Sequence, residues 1–217
     1  MEKNIFESSK KTASTPALTM SGGGPQRVVL YVFAEKTRDS DGLMIRCARR
    51  YLEKEGIECD HIRCVRSDRG APRLEPEGMP CVSLSHSGGY TVCAVSNGKV
   101  GVDLQKTGSL RKETREAYLD RLLRLAQRFY HPADAAWIQT DPERRFYTVW
   151  SVKEAYVKLT GTGIDGSFET FRVIPAEGPA GPAWCCDGAY YEALPFAEDF
   201  SLCVCTERPA ETETEYL

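Results

Sequence analysis

The stretch that most constrains the fold runs from Cys81 to Gln105. It reads C-V-S-L-S-H-S, then G-G, then Y-T-V-C-A-V-S, then N-G, then K-V-G-V-D-L-Q. Each run reads as a strand, and in K-V-G-V-D-L-Q Val100, Val102 and Leu104 alternate with the other residues, the period of a strand. Gly-Gly marks one turn, and Asn97-Gly98 is the strongest short hairpin signal. Three strands are therefore expected to meander through Cys81–Gln105.

Flanking segments extend the pattern. R-V-V-L-Y-V-F-A from Arg27 reads as a buried strand. Leu43 to Gly56 reads as a helix closed by glycine, with a strand near Ile62–Val65. R-G-A-P-R-L-E-P-E-G-M-P reads as a loop by its Pro and Gly density. A long helix is expected over Ser109–Tyr130, broken at His131-Pro132, then a short one over Ala133–Gln139. Asp141-Pro142 carries the cap and first-turn signals of another helix, ending near Gly161. F-E-T-F-R-V-I, A-Y-Y-E-A-L and F-S-L-C-V-C-T read as strands. The expected fold class is α+β. The expected organisation is a flexible tail over 1–26, an N-terminal half over 27–99, a C-terminal half over 100–206 and an acidic tail over 207–217.

Bulk properties exclude several functions. A net charge of −3 speaks against a nucleic-acid binder held by overall charge. No stretch approaches the ~20 apolar residues that span a bilayer, and the start lacks the apolar core of a signal peptide. Nine cysteines without a C-x-x-C suit free thiols in a reducing, cytoplasmic setting rather than a zinc site.

Chemistry concentrates in three places. On a strand, Asp103 and Gln105 share one face and offer two oxygen donors, as Mg²⁺ prefers; Asp103 could equally be the solvent side of a half-buried strand. Ser85, His86 and Ser87 precede a Gly-Gly turn and suit a phosphate grip, although a lone histidine there is commonly structural. In W-S-V-K-E-A-Y-V-K, Trp150–Lys158, the apolar stripe Val149, Val152, Tyr156 and Leu159 leaves Glu154 and Lys158 nearly opposite it. These are either a surface ion pair worth ~0.3–0.5 kcal/mol or a metal ligand and a phosphate clamp. Lys153 sits about a quarter-turn round and could reach another partner.

In order and combination, S-H-S-G-G-Y, G-V-D-L-Q and W-S-V-K-E-A-Y-V-K-L-T-G-T-G resemble the 4′-phosphopantetheinyl transferases, in particular their larger, monomeric kind. The resemblance covers about Gly70 to Val173. It implies two similar α/β-type halves forming a pseudo-dimer, with coenzyme A and Mg²⁺ in the cleft between them. It implies transfer of the phosphopantetheine arm to a serine of a carrier protein, with release of 3′,5′-ADP. Asp103 and Glu154 then correspond to acidic Mg²⁺ ligands, with Gln105 where many members have a third acid. Lys158 corresponds to the lysine near the pyrophosphate. Ser85 and His86 correspond to contacts of the coenzyme A phosphates, and Glu154 is the candidate base. Ala71 replaces a lysine beside the adenine, with Arg69 or Arg73 as substitutes. The basic residues of the Ser109–Tyr130 helix are either a docking face for an acidic carrier protein or a solvated basic face. With Gln105, Ala71 and a short first half, a degenerate homologue that binds without transferring is the alternative.

Overall fold

The computed structural model describes residues 25–108, 112–163, 167–173, 184–186 and 188–217. Among these are four α-helices and three sheets. The first sheet has the order β10-β1-β5-β4, from β1 (Gln26–Phe33), β4 (Cys81–Ser87), β5 (Tyr90–Ser96) and β10 (Ala210–Tyr216). The second has the order β6-β9-β8-β7, from β6 (Val100–Lys106), β7 (Trp184–Cys186), β8 (Ala189–Leu194) and β9 (Phe200–Thr206). A separate hairpin pairs β2 (Arg63–Arg66) with β3 (Pro72–Glu75).

The apolar alternation of β1 explains the layering. Val29 and Tyr31 face α1 (Ser40–Lys54), where they pack with Leu43, Met44, Cys47 and Tyr51. Val28, Leu30 and Val32 face the second sheet, against Val102, Leu104, Leu202 and Val204. The far side of the second sheet is covered by α2 (Arg115–Phe129), α3 (Pro132–Ile138) and α4 (Pro142–Thr160). Each sheet therefore has one face on its partner and one toward helices, and strands such as β1 and β5 bury both faces.

Several expectations change. The Asn97-Gly98 turn does not close a third meander strand. β4 and β5 pair, but β6 leaves them and pairs antiparallel with β9. Gly98 lacks the left-handed backbone that a type I′ hairpin needs, and the chain crosses there from one sheet to the other. The Pro- and Gly-rich loop contains β3, because Leu74 is buried against the α1 side while Pro72 sits at the strand start. The long helix begins at Arg115, where the Thr114 side chain caps it; residues 109–111 lie outside the described part. The expected strand over F-E-T-F-R-V-I is absent from its described residues, Phe168–Val173. Gln26, assigned to the tail, starts β1 fully buried and donates to Ser96 Oγ and the Lys99 carbonyl.

Residues 207–217, expected as an acidic tail, contain β10, which pairs parallel with β1. Their E-T-E-T-E alternation is a strand period. Glu213 and Glu215 turn toward α1, where Arg50 meets Glu215 at 2.9 Å and Lys54 contacts both acids. The acidic composition answers a basic helix face.

Candidate active site

Strand β6 and helix α4 build the site together. Gly101 lies directly under α4: a Cβ there would come within 1.9 Å of the Ala155 carbonyl and 2.6 Å of the Leu159 nitrogen. Only a residue without a side chain lets the helix rest this low on the strand. Two residues on, and on the same face, Asp103 meets the helix.

Asp103 is 6% exposed. Its Oδ1 accepts from Lys158 Nζ at 2.8 Å and from Ser85 Oγ at 3.0 Å. Lys158 also donates to the Val102 carbonyl at 2.9 Å. The four-apart Glu154–Lys158 salt bridge does not form; the lysine reaches across to β6 instead. Helix α4 explains why. It buries residues on nearly every side from Val149 to Leu159, Glu154 included. The stripe with an open opposite face is replaced by a central helix, so Glu154 is enclosed beside Asp103. Burial pushes the Glu154 carboxyl above its ordinary range, the Asp103 charge adds to this, and Lys158 offsets part of it.

The donor set suits a hard divalent cation. Two enclosed carboxylates repel one another, and Asp103 Oδ2 is buried without a hydrogen-bond partner. Oxygen-only ligands of this kind favour Mg²⁺. Gln105 is half-buried, with its amide nitrogen on the Lys106 carbonyl at 2.9 Å. Among the described residues no group of three or more His, Cys, Asp or Glu side chains gathers for a metal, so two carboxylates are the acidic complement available.

A cleft of about 300 Å³ opens beside Lys158. Arg66, Arg69, Gly70 and Ala71 of the β2–β3 hairpin form one wall, and Val157 and Lys158 of α4 with its C-cap Gly161 another. Arg69 spans the cleft and donates to the Thr162 carbonyl at 3.0 Å. Arg73 instead pairs with Glu75.

The structure thus brings Ser85, Asp103, Glu154 and Lys158 together and sets Arg69 along the adjoining cleft. His86 is exposed, on the face of β4 opposite Ser85. Lys153 turns away. It is fully buried, pairs with Asp134 at 3.1 Å and donates to the Phe168 and Phe171 carbonyls at 2.6 Å each. Sequence reasoning missed Gly101, although a glycine inside a strand pattern signals close backbone approach.

The comparisons with known proteins fall on the same segment. The 4′-phosphopantetheinyl transferase superfamily profile matches residues 99–205, which carry Asp103, Glu154 and Lys158. Residues 99–205 belong to this superfamily. Its relatives include the 4′-phosphopantetheinyl transferase psf-1 of Bacillus pumilus, 30% identical over 60% of this chain and 54% of that protein. HetI of Nostoc sp. is 29% identical over 77% of this chain and 72% of that protein. The L-aminoadipate-semialdehyde dehydrogenase-phosphopantetheinyl transferase of Rattus norvegicus is 30% identical over 68% and 50%. The chain spans about half the length of most superfamily relatives it matches.

Three basic residues of the helix expected as a docking face are paired with acids, and Arg111 lies outside the described residues. Arg121 pairs with Glu113 at 2.9 Å, Arg124 with Asp120, and Arg115 with Glu143 at 3.0 Å. No helix among the described residues is long and apolar enough to cross a membrane.

Proposed function

We propose that the chain transfers the 4′-phosphopantetheine arm of coenzyme A to a serine of an acyl or peptidyl carrier protein, releasing 3′,5′-ADP. The observation that carries this is the enclosed Asp103–Lys158–Glu154 cluster at the head of the Arg69-lined cleft, inside the segment shared with the superfamily. In this reading residues 27–99 and 100–206 act as two α/β-type halves of a pseudo-dimer, working as a monomer in the cytoplasm, with coenzyme A between them.

Asp103 and Glu154 would hold Mg²⁺, with Gln105 contributing its amide oxygen directly or through water. When bound, the ion neutralises charge on the two phosphates of coenzyme A. Lys158 adds positive charge where the pyrophosphate is broken, and Arg69 reaches a phosphate further along the cleft. His86 stands exposed as a further phosphate contact. The carrier serine Oγ forms a bond to the pantetheine-side phosphorus while the bridging oxygen departs with 3′,5′-ADP. Glu154 is the candidate acceptor of the serine proton.

The test is to mix the protein with coenzyme A, Mg²⁺ and a panel of apo carrier proteins and read intact masses. At least one carrier should gain a single arm. If none does, the activity is refuted. A second reading is favoured by Gln105 and Ala71: a homologue that binds coenzyme A or a carrier without efficient transfer. Tight calorimetric binding without turnover would establish it instead.

A further inference from the structure

Asp103 is held through one oxygen only. Ser85 Oγ and Lys158 Nζ both meet Oδ1, while Oδ2 has no partner. Ser85 is buried, and its hydroxyl is used twice. It accepts from the Leu104 N–H at 3.1 Å and donates to Asp103 at 3.0 Å. A hydroxyl has one proton, and here that proton goes to a carboxylate.

The neighbours of Ser85 isolate this role. Ser83, Ser85 and Ser87 all project from β4 toward β6. Their hydroxyls accept from Val102, Leu104 and Lys106 N–H at 3.1, 3.1 and 2.9 Å. The three bonds join the two large sheets. Of the three hydroxyls, Ser85's is the one with a carboxylate within hydrogen-bond distance.

We propose that Ser85 is a positioning residue for the divalent-ion site. By fixing Oδ1 from the β4 side, it sets the rotation of the Asp103 carboxylate and leaves Oδ2 free to bind the ion. This rests on reading Asp103 and Glu154 as ligands. It also removes Ser85 from the direct contacts of the coenzyme A phosphates, since its donor is committed. Hydrogen-bond partners of ligating carboxylates commonly alter metal affinity by about 10–100-fold.

The experiment measures Mn²⁺ binding by electron paramagnetic resonance of the free ion, with protein and Mn²⁺ alone. S85A should weaken binding about tenfold or more. S85T keeps a hydroxyl and should bind close to the parent. S85C, of similar size but a weak donor, should weaken binding in the same direction, which keeps the idea testable if S85A does not fold. S83A removes the matching bond to Val102 and should leave Mn²⁺ affinity at the parental value. In transfer assays, S85A should need more Mg²⁺ for half-maximal rate and approach the parental kcat at saturation. Parental Mn²⁺ affinity in both S85A and S85C overturns the proposal while the ligand assignment stands. Equal weakening in S83A overturns it as well, by making the effect one of sheet joining. A parent that binds no Mn²⁺ brings down the ligand assignment and the proposal together.

Discussion

Lys158 Nζ lies 2.8 Å from Asp103 Oδ1 and 2.9 Å from the Val102 carbonyl, so the last turn of α4 is pinned to the middle of β6. The ammonium balances one of two neighbouring carboxylates and borders the cleft. Replacing Lys158 with Met should reduce transfer about 10²-fold or more, the range for losing one electrostatic stabiliser. Initial rates at saturating coenzyme A test this. A K158M rate equal to the parent's would end the assignment of Lys158 as a transition-state cation.

Glu154 carries the pH dependence. Its folded pKa lies above the unfolded value because of burial, then Asp103. A raised acid favours its protonated form in the folded state. The stability it contributes is therefore complete below the ordinary glutamate pKa and is lost as pH rises through the folded value. In chelator, E154Q should melt above the parent near pH 8, with the gap closing toward pH 4. Thermal melts across that range decide it. A gap that widens on acidification would show the opposite sign.

Gly101 should tolerate nothing larger. An alanine Cβ at 1.9 Å from the Ala155 carbonyl would lift α4 from β6 and part Lys158 from Asp103. G101A should lose about 3 kcal/mol or more of stability, in the range of severe core overpacking, and lose transfer with it. Urea unfolding gives the first value and the carrier mass assay the second. Parental values in both would contradict the packing described.

Lys153 belongs to the fold. It pairs with Asp134, whose carboxylate accepts from the Val173 N–H at 3.0 Å, and it lies 4.0 Å from the Phe171 ring centroid. K153M should cost about 3–5 kcal/mol, as when one partner of a buried ion pair is removed. Adding D134N should cost less than the two single changes summed. Chemical denaturation of the four proteins measures this. A K153M protein of parental stability but poor coenzyme A affinity would place the lysine in the cleft instead.

Gln105 is the position where a charge could be added. Q105E should lower the Mg²⁺ concentration for half-maximal rate several-fold, because ligand charge tunes affinity. A Mg²⁺ titration of the transfer rate is the measurement. An unchanged midpoint would mean that this position stands outside the ion's reach.

The site was more legible than the sheets. Asp103, Glu154 and Lys158 each allow a surface reading by themselves and stand out only through the order and combination of the motifs; two of them touch. Their true pairing was hidden, since four-apart spacing on α4 suggested Glu154 with Lys158. Burial of the whole helix decides otherwise. Asn97-Gly98 encodes a local turn, but the partner of β6 is Phe200–Thr206, far along the chain. Lys153 gave no sign of Asp134, because that pair forms only when α3 and α4 pack. The Glu-Thr alternation of β10 was visible, but its acidity resembled a solvated tail until the basic face of α1 was in place.

Strand β10 ties the beginning of the described chain to its end. Gln26 is in register with Ala210, and the Leu217 N–H donates to the Val32 carbonyl at 2.9 Å. On the ribosome, β1 emerges before β4 and β5, yet its outer neighbour arrives only after all the other strands described. Until then its free edge is open to other strands in the crowded cell. The last strand of this sheet to be made is thus the one that covers its first, and deleting residues 210–217 would expose the edge of β1.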